Sequence, residues 1–399
     1  MISLAQYLRE SAVSRETIDM FVDPARSCWA AFDAEVGYTL GNYMPRDGIN
    51  GCSTISTSQQ EGMRTPHNYA ETPCRINTYG NSFTQCHQVS DGETWQEYLA
   101  AHLGEPIRNF GMGGFGVYQA YRRMIRTEEC DVGAQHVILY IWGDDHFRSL
   151  MRCRHAVTYS SWNDHQGRMF HGNFWAHLEM DLDSKTIVEK ENLLPTAESL
   201  YKMTEPEFMV DALKDDLMLQ LYLLEKVKPD SLDLDDLNSL AEILGVERID
   251  RSSPERLMRT SVCLKRAYGF AATKFIVKKA SDYCRRTGKK LMIALLCPHV
   301  TREVLNNKPR YDQEIVDYLK DEGETFFDMN LIHQKDYNDF NLSVDDYIKR
   351  YFIGHYSPAG NHFFAYSIKD RIVDWLDPKP ITYMNDERKM IDFKGYLPE

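Results

Sequence analysis

The sequence predicts an α/β fold: a three-layer α/β/α sandwich around a central, mostly parallel sheet, carrying a helical insertion. Three observations point there. From Arg75 onward, short apolar runs alternate with segments of helical period, a rhythm that implies parallel strands covered on both faces. The run "AQHVILYIWG" is the strongest buried strand in the chain. The rhythm breaks after residue 145 and resumes at "KKLMIALLC", so the intervening stretch reads as an insertion.

Taken in order, residues 1–74 begin with one or two amphipathic helices. They then turn polar and irregular around "MPRDGINGCSTISTSQQEGMRTPHNYAE", which reads as a long arm laid over a domain. Residues 75–145 form the first half of that domain. "RINTY" is a strand, and "TWQEYLAAHL" sets Trp95, Tyr98, Leu99 and Leu103 at helical spacing. "PIRNF" is a short strand ending at glycines, "VYQAYRRMIR" is a helix, and the buried strand follows. Residues 146–285 hold a His- and Arg-rich loop, a hairpin in "NFWAHLEMDLDSKTIVEKEN", and long helices in "DALKDDLMLQLYLLEKV" and "LKRAYGFAATKFIVKKASDYCRR". Residues 286–377 supply the second half: the strand "KKLMIALLC", the helix "YDQEIVDYLKDEG", the strand-like "TFFDMN" and the helix "NHFFAYSIKDRIVDWL". Residues 378–399 form a tail.

Composition narrows the function. Over 399 residues, 43% hydrophobic and 26% charged content is that of a globular chain, and a net charge of −13 argues against nucleic acid as a partner. No window approaches the roughly 20 apolar residues of a membrane helix, so membrane insertion is not expected. The first residues lack a basic flank followed by an apolar stretch, which predicts no secretory signal and a cytoplasmic setting, or a periplasmic or secreted one if a signal has been trimmed. Nine cysteines without a CxxC pair read as reduced thiols rather than a zinc cluster.

In an open α/β sheet, ligands bind beyond the carboxyl ends of the strands. Gly80-Asn81-Ser82 follows the first strand, and "NFGMGGFG" (Asn109–Gly116) the second. Gly143-Asp144-Asp145-His146 follows the third, and "GHYSPAGN" (Gly354–Asn361) precedes the last helix. A nucleophile candidate, a glycine-lined turn, a polar loop and a histidine thus fall at one edge.

These segments resemble the motifs of the SGNH/GDSL hydrolases. "YGNSFTQCHQV" is similar to the first block, with Asn81 where Asp is common. "NFGMGGFGVYQ" resembles the second, "IWGDDHF" stands in place of the third, and "GHYSPAGNHFFA" resembles the fifth. The resemblance implies an SGNH, flavodoxin-like sandwich over roughly residues 30–376. It implies Ser82 as nucleophile and His355 as base, without cofactor or metal. The oxyanion donors would be the N–H groups of Ser82 and Gly114 and the side chain at position 144, with Asn81 beside them as a binding candidate. The implied substrate is a small-molecule ester, such as an acylated carbohydrate.

The chain departs from that pattern in two places. Position 144 holds Asp, and an ionised carboxylate has no proton to donate. Asp144 is then protonated, or faces elsewhere, or holds a positive group of the substrate, or else the motif register is off by one and Asp144 only caps a loop. The acid usually found just before the histidine is also missing, since Phe352 and Ile353 stand there. Either His355 works in a dyad, or Asp345 or Asp346 reaches back to it. A non-hydrolytic SGNH-like protein, whether ligand-binding module, acyltransferase or lyase, is the alternative reading.

Other features read as structural. Gly111–Gly116 matches GxGxxG, but the preceding strand is poor and no acid falls at the ribose-binding distance. His146, His155, His165, His171 and His177 crowd one segment without metal-ligand spacing, and read as a polar loop at the pocket mouth. Arg148, Arg152 and Arg154 in that segment are candidates for an anionic substrate group. Trp162, Phe174 and Trp175 read as core beneath the insertion.

Overall fold

The computed structural model describes residues 1–159 and 167–384. Its centre is a five-stranded sheet built from β3 (Ile76–Tyr79), β4 (Ile107–Asn109), β5 (His136–Ile141), β8 (Lys290–Leu295) and β9 (Phe326–Asp328). The order is β4-β3-β5-β8-β9, with every neighbouring pair parallel. The strands are short apolar runs, and β5 is buried along its whole length, as a strand covered on both faces must be. Side chains alternate between two cores. Val137, Leu139, Ile141, Ile293 and Leu295 face one; Ile138, Tyr140, Met292 and Ala294 face the other.

Helices cover both faces. On the first lie Val117–Glu128 and the long helix Pro254–Thr287. On the second lie Trp95–Leu103 and Pro358–Trp375, packed through Trp95, Leu99, Phe364 and Ile368. The helix starts are set by side chains: Thr94 caps Glu97 N–H, Ser253 precedes Pro254, and Ser357 precedes Pro358. The three-layer α/β/α architecture follows. Because β3 leads outward to β4 while β5 lies on its other side, the order reverses between β3 and β5. Ligand crevices open at such a point, and Ser82 stands there.

The arm is more than a covering. Its strands β1 (Ala30–Asp33) and β2 (Gly37–Leu40) form a hairpin, and Leu8, Ile18, Trp29 and Tyr38 belong to the same core as β5. Arg64 N–H donates to the Asn109 carbonyl at 2.9 Å, so the arm also closes the edge beside β4. In the insertion, β6 (His177–Asp181) and β7 (Thr186–Lys190) form the expected antiparallel hairpin. The segment read as one helix, "DALKDDLMLQLYLLEKV", is instead two: Pro206–Leu213 and Leu217–Leu223. Asp216 breaks it, accepting from Leu219 N–H and Arg152 N–H, both at 2.9 Å. Among the described residues no helix is long and apolar enough to cross a membrane.

Candidate active site

The chain leaves β3 through Gly80, whose φ is +153°. A Cβ there would stand 2.3 Å from Thr84 Oγ1 and 2.9 Å from the Tyr140 carbonyl, so only glycine fits. Asn81 then caps the short helix Ser82–Gln85, its Oδ1 accepting from Phe83 N–H at 2.6 Å. This places Ser82 on the first helical turn with its hydroxyl free to leave the sheet edge. Ser82 Oγ lies 2.7 Å from His355 Nε2, although 273 residues of sequence separate them. Both residues are partly exposed and so within reach of a substrate.

Gln88 takes the place of the expected acid. Its Nε2 donates to the Asp47 carbonyl at 2.9 Å, which fixes the amide orientation. Its Oε1 then faces His355, 2.9 Å from both the backbone N and Nδ1. An amide oxygen only accepts, so Nδ1 carries the proton and Nε2 offers its lone pair to the Ser82 hydroxyl. Gly354, at φ +115°, makes room for this contact, since a Cβ there would stand 2.7 Å from Gln88 Oε1. Burial, with the charges of His87 and Arg148, holds the His355 imidazole well below its usual range, so the ring is neutral at physiological pH.

Neither Asp345 nor Asp346 completes a triad, which corrects that expectation. Asp345 pairs with Arg302 at the surface, and the Asp346 carboxylate accepts at 2.7 Å from the hydroxyl of Ser343, the residue that caps its helix. The nearest carboxylate support comes from Asp47, whose Oδ2 is 2.7 Å from His87 Nε2. The His87 ring in turn lies 5.0 Å from that of His355.

The glycine turn after β4 packs directly on the short helix Ser82–Gln85. Asn109 Oδ1 accepts from Gly111 N–H at 3.0 Å, and Gly113 N–H donates to Gln85 Oε1 at 2.7 Å. A Cβ on Gly111 would stand 2.2 Å from Gln85 N. The GxGxxG turn is therefore filled by Gln85. Gly114 has φ +85°, and a Cβ there would meet Tyr38 Oη and Arg154 Nη1, each at 2.6 Å. Burial pushes the Tyr38 phenol up to about 12, so it remains a neutral donor, here to the Gly113 carbonyl at 3.2 Å. Among the described residues, nothing accepts from the N–H of Ser82 or of Gly114.

Asp144 and Asn81, expected as oxyanion or binding donors, are placed otherwise. The Asp144 side chain is 52% exposed and lies 3.6 Å from Arg148, facing a pocket beside Trp142. The buried carboxylate of "GDDH" is the next residue, Asp145. It accepts from Trp142 N–H at 2.9 Å and faces Arg148 Nη1 at 3.2 Å, and Asn81 Nδ2 also donates to it. Burial pushes Asp145 up to about 7, against the pull of Arg148 and Asn81. With one end bonded to Asp145 and the other to Phe83, the buried Asn81 amide shapes the turn rather than facing a substrate.

The crowded histidines separate on folding. His146 bonds Thr273 at 2.8 Å, His155 packs on Phe170, His171 lies against Trp29, and His177 bonds the Trp175 carbonyl at 3.1 Å. His165 and Trp162 lie outside the described residues. Phe174 and Trp175 are core. Arg152 is committed to Asp215 and Glu179, at 2.6 and 3.2 Å. Gln88, Asp47, His87 and Arg64 were not singled out by the sequence, which carries no motif that marks them. No protein-family model matches the chain, and no curated protein matches it.

Proposed function

We propose that the chain is a serine hydrolase of SGNH type that cleaves an acyl ester. The observation that carries this reading is the 2.7 Å contact between Ser82 Oγ and the unprotonated Nε2 of His355, with the tautomer fixed by Gln88. His355 takes the hydroxyl proton as Oγ attacks the ester carbonyl. The N–H groups of Ser82 and Gly114, which have no other acceptor among the described residues, suit the developing oxyanion. Collapse of the tetrahedral adduct expels the alcohol, which takes the proton from His355. Water, deprotonated by the same imidazole, then releases the acid from Ser82.

Short acyl esters, including acylated carbohydrates, are the substrates that the motif resemblance suggests. The acidic net charge fits a small-molecule role better than nucleic-acid binding, and unpaired cysteines suit a cytoplasmic setting. The carboxylate at position 144 and the amide in place of an acid favour a second reading, a non-hydrolytic protein on the same scaffold. Covalent labelling separates them. A fluorophosphonate probe should modify Ser82 alone, as located by peptide mass spectrometry, with labelling abolished in Ser82→Ala and His355→Ala. A folded protein that takes no label would overturn the hydrolase reading.

A further inference from the structure

A pocket opens at the carboxyl edge of the sheet, one strand beyond the Ser82–His355 pair, between the ends of β5 and β8. It encloses about 230 Å³ and is lined by Trp142, Gly143, Asp144, Phe147, Lys265 and Arg266, with Cys297 and Tyr311 closing its far side. The floor at Gly143 is thin, since a Cβ there would stand 2.7 Å from Tyr311 Oη and 3.0 Å from Cys297 Sγ. The Trp142 indole stacks on Phe83 with centroids 5.9 Å apart, and Phe83 lies 5.0 Å from the His355 ring. The pocket is therefore next to the dyad but walled from it by an aromatic layer.

Its charge is unusual for this chain. Lys265 and Arg266 are both half-buried on the long helix Pro254–Thr287. Among the described residues neither makes an ion pair or hydrogen bond, in a protein where most buried or half-buried arginines do. They rest on rings instead: Lys265 Nζ is 4.5 Å from the Tyr222 centroid and 5.3 Å from that of Phe147, and the Arg266 guanidinium is 5.1 Å from that of Tyr311. The one carboxylate in the lining, Asp144, is drawn toward Arg148. Cys297 adds no negative charge, because burial pushes its thiol up to about 11. Two half-buried cations held on aromatic faces, with only the more distant charges of Asp144 and Glu225 acting on Lys265 and no direct ion pair to either, make a site that gains by receiving an anion.

We propose that this pocket binds a small carboxylate with a planar or apolar body, the carboxylate between Lys265 and Arg266 and the body against Trp142, Phe147 and Tyr311. The proposal stands whether or not Ser82 is a nucleophile. Titration calorimetry on the full chain with benzoate, benzamide and benzamidine tests it, because these probes share shape and differ in charge. Benzoate should bind at least about 10-fold more tightly than benzamide, the difference a charge-assisted contact supplies. The Lys265→Met/Arg266→Met pair should remove that preference, and Asp144→Asn should strengthen benzoate binding several-fold. Asp144→Asn leaves the helix untouched, so it keeps the test sharp if the double variant is unstable. Equal binding of benzoate and benzamide, a preference for benzamidine, no binding of any probe at millimolar concentration, or benzoate binding unmoved by these substitutions would each overturn the proposal.

Discussion

Gln88 stands where the motif resemblance expects an acid, and its amide oxygen holds the His355 ring. Its backbone is in the left-handed region, φ +73°, two residues after Cys86 at φ +62°. Two such non-glycine residues so close together are strained, and here the strain turns the amide under His355. An amide orients the ring but contributes less than a carboxylate to stabilising the imidazolium. Gln88→Ala should therefore lower kcat by about 100-fold or more with little change in KM, a loss of orientation rather than of binding. The pH profile gives a sharper check. A base held below its usual range stays neutral as pH falls, so the acid limb of kcat/KM should lie below about pH 6.5. Gln88→Glu sets a negative charge beside Nδ1, favours the imidazolium, and should move that limb upward by a pH unit or more. A limb already at an ordinary histidine position, or unmoved by the substitution, would contradict the assignment. Ser82 and His355 were legible because each follows or precedes a recognisable element at the sheet edge. Gln88 was not, because its role comes from a backbone twist that "CHQV" does not announce.

At the scale of elements, the turn that carries Ser82 is held from outside by the arm. Arg64, 2% exposed, pairs with Asp91 at 2.8 Å. It also donates to the carbonyls of Gln85, Cys86 and Val89 at 2.5, 2.7 and 2.6 Å. Those carbonyls belong to the stretch that the left-handed residues leave without regular bonding, so a planar guanidinium with several donors suits the position. Arg64→Met removes the cation and strands the buried Asp91, and should cost about 3–5 kcal/mol in chemical denaturation. It should also slow fluorophosphonate labelling of Ser82, since the turn loses its outer support. A loss below about 1 kcal/mol would mean that the pair is incidental. Strands and helices of the sheet were legible because their apolar period is strong, as in "HVILYI". The break at Asp216 was missed because leucines at helical spacing continue on both sides of it, and the cap that Asp216 makes on Leu219 N–H and its contact with Arg152 N–H together show why the helix stops. Asp144 was singled out by motif register alone; burial places Asp145, its neighbour, in the interior instead.

Across the whole molecule, arm, insertion and sheet share one core. Leu8, Trp29 and Tyr38 from the arm, Phe174, Met203 and Leu213 from the insertion, and Val137 and Leu139 from the sheet fall in a single contiguous apolar cluster. The sequence divides the chain at residues 74, 145 and 285 by texture, yet no face of those pieces is closed without the others. Fully burying one Leu, Phe or Met side chain is worth roughly 1.5–3 kcal/mol, and the arm contributes several of them as well as Arg64. A chain beginning at residue 75 would expose that face, lose the Asp47 carbonyl that orients Gln88, and leave Asp91 unpaired. Such a chain should lack a cooperative thermal transition and a native near-ultraviolet dichroism spectrum, whereas the full chain should unfold in one step by both probes. The fragment should also fail to label at Ser82, because the turn and the histidine tautomer both depend on arm residues. A fragment that folds cooperatively and labels at the full-length rate would show that the arm only decorates the domain. The shared core and the contacts of Asp47 and Arg64 point to the opposite outcome: the Ser82–His355 geometry and the fold should be lost together.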